Sequence, residues 1–213
     1  MLKKLLLLSS VLTLGSALAA NADPIGTTAT YTLNAQGCSG GGGCGTAPYG
    51  TVVLDQTGAN TVTVTETLAS GNQYVKTGAG DALEFNLTGD PGITIANITT
   101  GFSVGPAPDS ASFAGGFDYS VTCSGCGKGA SATLPGPLSF TVTDASVSEF
   151  TDNSDGFFFA SDIQSGATGN TGNVAGNDPG VPGTSPVPEP SSLLLFGTGL
   201  IGAAGMVRRR LFS

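Results

Sequence analysis

The side chains of this chain that could do chemistry are four cysteines and fifteen acids. Cys38 and Cys44 lie in Gly37-Cys38-Ser39-Gly40-Gly41-Gly42-Gly43-Cys44-Gly45, and Cys123 and Cys126 in Cys123-Ser124-Gly125-Cys126-Gly127. In an oxidising compartment, four cysteines most simply form two disulfides. Three connectivities are open. The local pairs, 38 with 44 and 123 with 126, are favoured because glycine-rich loops let the ends meet at the ~5.5 Å Cα separation a bridge needs. Loops this small remove little unfolded-state entropy, so each bridge would staple a hairpin end rather than stabilise a whole domain. Two other chemistries use the same residues. A Cys-x-x-Cys redox centre sets its first thiol at a helix N-terminus, whereas here a strand pattern precedes the motif and Gly127, Gly129 and Pro135 follow it. A Zn2+ site would need the two loops to be adjacent, and the gap between Cys38 and Cys44 is looser than ribbon knuckles usually allow.

Among the acids, the densest cluster is Asp152-Asn153-Ser154-Asp155-Gly156, with Glu149 close by. Ca2+ takes oxygen ligands of this kind, but the spacing is not that of an EF-hand. The same residues are what a turn before Phe157-Phe158-Phe159 would contain, and the turn is the preferred reading. Glu66 and Glu84 read as polar-face positions of strands, with nothing to set them at the ~5 Å or ~8 Å of a glycosidase pair. Histidine is absent, which excludes Ser-His and Cys-His nucleophile pairs and every imidazole ligand. Tryptophan is absent too, leaving tyrosines such as Tyr74 and Tyr119 as aromatic contacts for a glycan. No catalytic residue, cofactor site or metal set is assigned, and the chain reads as a non-enzyme.

The elements that must position these groups read as strands. Gly (34) and Pro (12) punctuate the chain, and period-two alternation recurs where helical periodicity does not. Val62, Val64 and Leu68 face one way from a run of threonines; Leu83, Phe85 and Leu87 repeat the pattern. So do Ile93 and Ile95, then Phe117, Tyr119 and Val121, then Leu138, Phe140 and Val142. Further strands are expected at 29–33, 51–54, 73–77 and 157–163, while Val147 and Phe150 fit one helical turn or a plugging loop. Short strands at this spacing predict an all-β fold, an antiparallel β-sandwich of the jelly-roll or Ig-like class, with a barrel as the alternative topology.

The two ends differ from the middle. Lys3 and Lys4 precede an apolar run over 5–18, and small residues follow, so 1–22 reads as a signal-peptide helix cut after Ala22. The sandwich is expected over 23–164. From 165 to 186 the composition, GATGNTGNVAGNDPGVPGTSPV, predicts a flexible spacer of ~25 Å reach. At 187–213 come Pro188-Glu189-Pro190, an uncharged run over 191–207, and Arg208, Arg209 and Arg210. As a helix that run spans ~25 Å, at the short limit for a bilayer, with the arginines as a positive-inside signal. Between 23 and 187 only Lys76 and Lys128 oppose fourteen acids, a net charge of −12 that excludes nucleic acid as a partner.

The tail, with its P-E-P, apolar helix and arginine block in that order, closely resembles the PEP-CTERM sorting signal. The middle is similar to small exported proteins carrying that signal. The likeness rests on Gly50-Thr51-Val52 after an early Cys-glycine-Cys loop, Cys123-Ser124-Gly125-Cys126, and Gly136-Pro137-Leu138-Ser139-Phe140-Thr141-Val142-Thr143. Phe158-Phe159-Ala160-Ser161-Asp162-Ile163 and Gly169-Asn170-Thr171-Gly172-Asn173 extend it. The resemblance implies export from a Gram-negative bacterium, transient membrane anchoring by the C-terminal helix, and cleavage by an exosortase. It also implies a place at the cell envelope or outside it, in association with exopolysaccharide, biofilm and glycosylated surface proteins. A non-enzymatic surface or matrix protein is therefore expected, with a glycan- or Ca2+-binding module as the alternative.

Overall fold

The computed structural model describes residues 23–177 and 179–183. The expected signal helix, membrane helix and sorting residues Pro188, Glu189, Pro190 and Arg208 to Arg210 lie outside the described residues. Within them no helix is long and apolar enough to cross a membrane.

The fold is all-β and antiparallel. One six-stranded sheet runs Pro179–Gly183, Thr28–Leu33, Gly50–Gly58, Thr61–Leu68, Leu138–Thr143, Thr94–Ala96. In the second sheet Phe159–Gln164 pairs on one side with Gln73–Lys76 and Leu83–Leu87, and on the other with Thr171–Gly176. Tyr119–Thr122 pairs beyond Leu83–Leu87, and Ala35–Gln36 beyond Thr171–Gly176. A separate hairpin joins Asp109–Ala111 to Gly115–Phe117.

Alternation decides which side chains these strands bury. Val52, Leu54, Val62, Val64, Leu138, Phe140 and Val142 of the first sheet join Leu83, Phe85, Tyr119, Val121, Phe159 and Ile163 of the second in one core. Rings cross between the sheets: Tyr31 lies 5.0 Å from Phe158 and 4.9 Å from Phe159, and Phe85 lies 5.9 Å from Phe140. Phe85 also meets Tyr119, Phe150 and Phe159 at 5.5, 5.5 and 6.5 Å, so one residue gathers four rings. The helical turn expected near 147 is a 3-10 turn, Val147–Glu149, which buries Val147 and leads into buried Phe150.

Two expectations are corrected. The run over 117–121 is not one strand: the Asp118 amide donates to Asn86 Oδ1 (2.7 Å) instead of to a strand partner, and Phe117 turns into a second, smaller apolar cluster. The spacer is not a spacer over its described part. Thr171–Gly176 pairs along its whole length with Phe159–Gln164 and buries Val174 and Ala175 completely, and Pro179–Gly183 extends the first sheet. Its glycines answer to packing. A Cβ at Gly172 would stand 2.7 Å from Cys38 Cα and from the Gly37 carbonyl oxygen, and one at Gly176 2.9 Å from the Thr32 carbonyl oxygen. Close backbone approach, not looseness, puts glycine there.

Two outcomes test this account. Phe85→Ala should lower unfolding free energy by about 3–5 kcal/mol, whereas Ile25→Ala, at a side chain 60% exposed, should stay within about 0.5 kcal/mol in the same urea titration. A chain ended at residue 164 should lack a cooperative thermal transition that a chain ended at 183 retains; equal melting of the two would restore the spacer reading.

Candidate functional site

Both cysteine pairs are local. Cys38 bonds to Cys44 and Cys123 to Cys126, with Cα separations of 5.2 and 5.3 Å. The first loop is docked, since Ser165 Oγ donates to the Cys44 carbonyl (2.9 Å), Thr168 Oγ1 to Gly43 O (2.8 Å) and Asn170 Nδ2 to Gly41 O (3.0 Å). Taken up in pairs, these sulfurs are neither a dithiol nor a thiolate set.

The 152–156 segment is a turn built around one amide. Asn153 Nδ2 donates to the carbonyls of Ala114 (2.6 Å) and Gly116 (3.2 Å), while its Oδ1 accepts from the amides of Asp155 and Phe157, both at 3.0 Å. It therefore clamps the hairpin rather than offering oxygens to an ion. Tyr74 and Tyr119, expected as glycan contacts, are turned inward. Tyr74 packs edge-on to Phe102 at 5.0 Å, and the Tyr119 hydroxyl donates to Asp90 Oδ1 at 2.7 Å.

Glu66 and Glu84 depart furthest from expectation: both are fully buried. Glu66 stands in register between Val52 and Leu138 on the inner face of the first sheet. Burial pushes its pKa up to about 8, while the Ser161 and Tyr74 hydroxyls that face it act the other way. No well-formed hydrogen bond joins them to it, and both Glu66 oxygens, Tyr74 OH and Ser161 Oγ are fully buried. Burial that these hydroxyls offset only in part favours the neutral carboxylic acid.

Glu84 belongs to a larger set on the other face of the second sheet. Its Oε1 accepts from the Asp81 amide at 2.8 Å, and the Asp109 carboxyl from the hairpin lies beside both Glu84 and Asp81. Asp81 Oδ2 accepts from Ser120 Oγ at 2.7 Å, and Asp162 Oδ2 accepts from the amide and hydroxyl of Thr77 at 2.9 and 2.6 Å. Asn173, cross-strand from Asp162, is 1% exposed and has no partner at either amide atom; Glu84 Oε2 and Asp162 Oδ1 also lack partners. Backbone closes in: a Cβ at Gly80 would stand 2.6 Å from Asn173 Nδ2 and 2.8 Å from Glu84 Oε1, and one at Gly105 would collide with Ser120 and Asp81. Burial, then the neighbouring Asp109 and Asp81, raises Glu84 to about 8 against a backbone hydrogen bond that lowers it. Burial also raises Asp81 and Asp162.

Neither Lys76 nor Lys128 contributes to those shifts, and both are exposed. Among the described residues no three of His, Cys, Asp or Glu are arranged to hold a metal ion. What the cluster can do is hold protons. Sequence periodicity carried a signal for Glu66, which shares the even-numbered register of Val62 and Val64; for Glu84 it carried none, because what covers it comes from residues 105–117.

Residues 186–210 match the family described as the PEP-CTERM protein-sorting motif. No curated protein and no solved structure matches the chain.

A carboxyl whose folded pKa is raised binds more protons folded than unfolded between its two pKa values. Its contribution is whole below about 4.5 and is lost as pH rises toward about 8, for Glu66 and Glu84 alike. The melting temperature should therefore fall steadily from about pH 5 to about pH 8. Glu66→Gln should raise stability at about pH 9 and change it little at about pH 5. A flat profile, or a Gln variant weaker at high pH, contradicts the buried neutral acid.

Proposed function

We propose that this is a non-enzymatic cell-surface or extracellular-matrix protein, a β-sandwich of the jelly-roll or Ig-like class, exported and processed by exosortase and associated with exopolysaccharide. The observation that carries the reading is the sorting motif over 186–210, which implies export and exosortase-dependent delivery to the cell surface. The two disulfides agree with an oxidising destination. The outer face of the first sheet supports the matrix role. Its threonines stand in register across strands, Thr63 opposite Thr141 and Asp55, and Thr67 opposite Thr51. Every one of these side chains is partly or fully exposed. The face thus offers hydroxyls and methyls with one acid, a surface suited to hydrogen bonding with a hydrated polysaccharide and poor in groups for acid–base chemistry. In this reading the uncharged run over 191–207 serves as the anchor until cleavage.

Intact-mass measurement on protein recovered from envelope and medium tests the reading. The expected mass lacks residues 1–22 and everything beyond the Pro188-Glu189-Pro190 region, lacks four hydrogens for two disulfides, and follows the exopolysaccharide fraction. Recovery of the uncut chain from a host with active exosortase, or of free thiols in the cytosol, would overturn it.

A further inference from the structure

The hairpin over 109–117 covers a second apolar cluster on the far face of the second sheet. Ala111, Ala114 and Phe117 of the hairpin lie on Ala160 and Ala175, with Ala35 and Phe157 at the margin. All five central residues are at most 1% exposed. The contact is small and alanine-rich, so burial alone holds the hairpin weakly compared with the ring-filled main core.

Two polar attachments supplement it. Asn153 grips the Ala114 and Gly116 carbonyls, with its own amide oxygen satisfied inside the turn, so that attachment does not depend on pH. At the other strand, Ser112 donates its amide and hydroxyl to the Ala79 carbonyl at 2.6 and 2.8 Å, and Asp109 sets its carboxyl beside Asp81 and Glu84. Two carboxylates attract only if they share a proton; ionised, they repel at close range in a partly dry site.

We propose that the hairpin over 109–117 is a proton-operated latch: protons held by Asp81 and Glu84, the carboxyls that Asp109 faces, keep it on the sheet, and their loss lifts it to expose Ala111, Ala114, Phe117, Ala160 and Ala175 as an apolar face. Among the described residues, the elements around the cluster bring no charge that would offset the repulsion. Residues 77–81 bring Thr77 and Asp81; Leu83–Leu87 brings Glu84 and Asn86; Tyr119–Thr122 brings Ser120 and Thr122. Phe159–Gln164 brings Asp162, Thr171–Gly176 brings Asn173, and the turn over 152–156 brings Asn153 and, beside Gly115, Asp155. None is a cation. A second observation at the site is Asn173, buried and without a hydrogen-bond partner beside Glu84, which brings no charge to offset the repulsion. The latch is closed at acidic and neutral pH and opens as pH passes about 8, where Glu84 ionises.

Hydrogen exchange read by mass spectrometry on the processed protein, corrected for the intrinsic rate at each pH, tests this. Between about pH 6 and pH 9, peptides over 108–118 should lose at least roughly tenfold in protection while peptides of Thr61–Leu68 keep theirs. A dye that reports exposed apolar surface should brighten over the same range. Glu84→Gln should keep the hairpin protected to about pH 9, and Asp109→Asn should do the same if the first variant does not fold. Unchanged hairpin protection, loss shared equally with Thr61–Leu68, or opening that persists in whichever variant folds would each overturn the latch. So would closure at about pH 9 restored by millimolar Ca2+, which would make the cluster a cation site instead.

Discussion

The structure depends on one strand of five residues buried on both faces. Leu83–Leu87 sends Leu83, Phe85 and Leu87 into the space between the sheets and Glu84 and Asn86 to the opposite side. Phe85 gathers four rings from both sheets, and stacked and tilted contacts of this kind add to the stabilisation from area alone. Because side chains alternate strictly, fixing Phe85 inward fixes Glu84 outward, against whatever covers that face. The hairpin over 109–117 is that cover. The carboxyl cluster is thus a consequence of where the main core anchors its central strand.

Each face of this protein buries acid, and the two cases differ physically. Glu66 replaces what would be a valine in the repeat of Val62 and Val64, so it sits among apolar side chains with two hydroxyls near it. Glu84 sits in a polar layer that also holds the acids Asp81, Asp109 and Asp162. Burial is the first cause of the raised pKa in both. A hydrogen bond opposes burial in each case, from side-chain hydroxyls at Glu66 and from the Asp81 amide at Glu84, but only Glu84 is raised further, by the carboxyls of Asp109 and Asp81. The first is shifted by its own core site alone; the second responds also to the carboxyl of a neighbouring segment.

What could be read from the chain was whatever one face of one strand decides. Leu138, Phe140 and Val142 point inward as their spacing requires, and the glycine loops close their own disulfides as short-range geometry allows. Glu66 was legible in period but was set outside because its charge was weighted above its register. Glu84 and Asp162 were not legible: their faces are covered by elements far away in sequence, and nothing local marks a strand as buried twice. Over 165–183, composition misled. Glycine and asparagine in an unpaired segment signal looseness, but here Gly172 and Gly176 let one backbone lie against another and Val174 supplies the core contact.

That last point changes the relation between the fold and the sorting motif. With 165–186 read as a tether, the folded unit would stand ~25 Å from the motif. With Pro179–Gly183 paired to Thr28–Leu33, only residues 184 and 185 separate the last strand from the matched segment, a reach of at most ~7 Å on a fully extended chain. Among the described residues Pro179–Gly183 has a partner on one side only, and its two prolines suit an edge and cannot serve a central strand. An enzyme acting at Pro188-Glu189-Pro190 would therefore work within a few residues of a folded sheet edge. The pairing of Pro179, Gly180 and Gly183 with Thr28–Leu33, rather than the length of a linker, would then set how near the sheet that enzyme works.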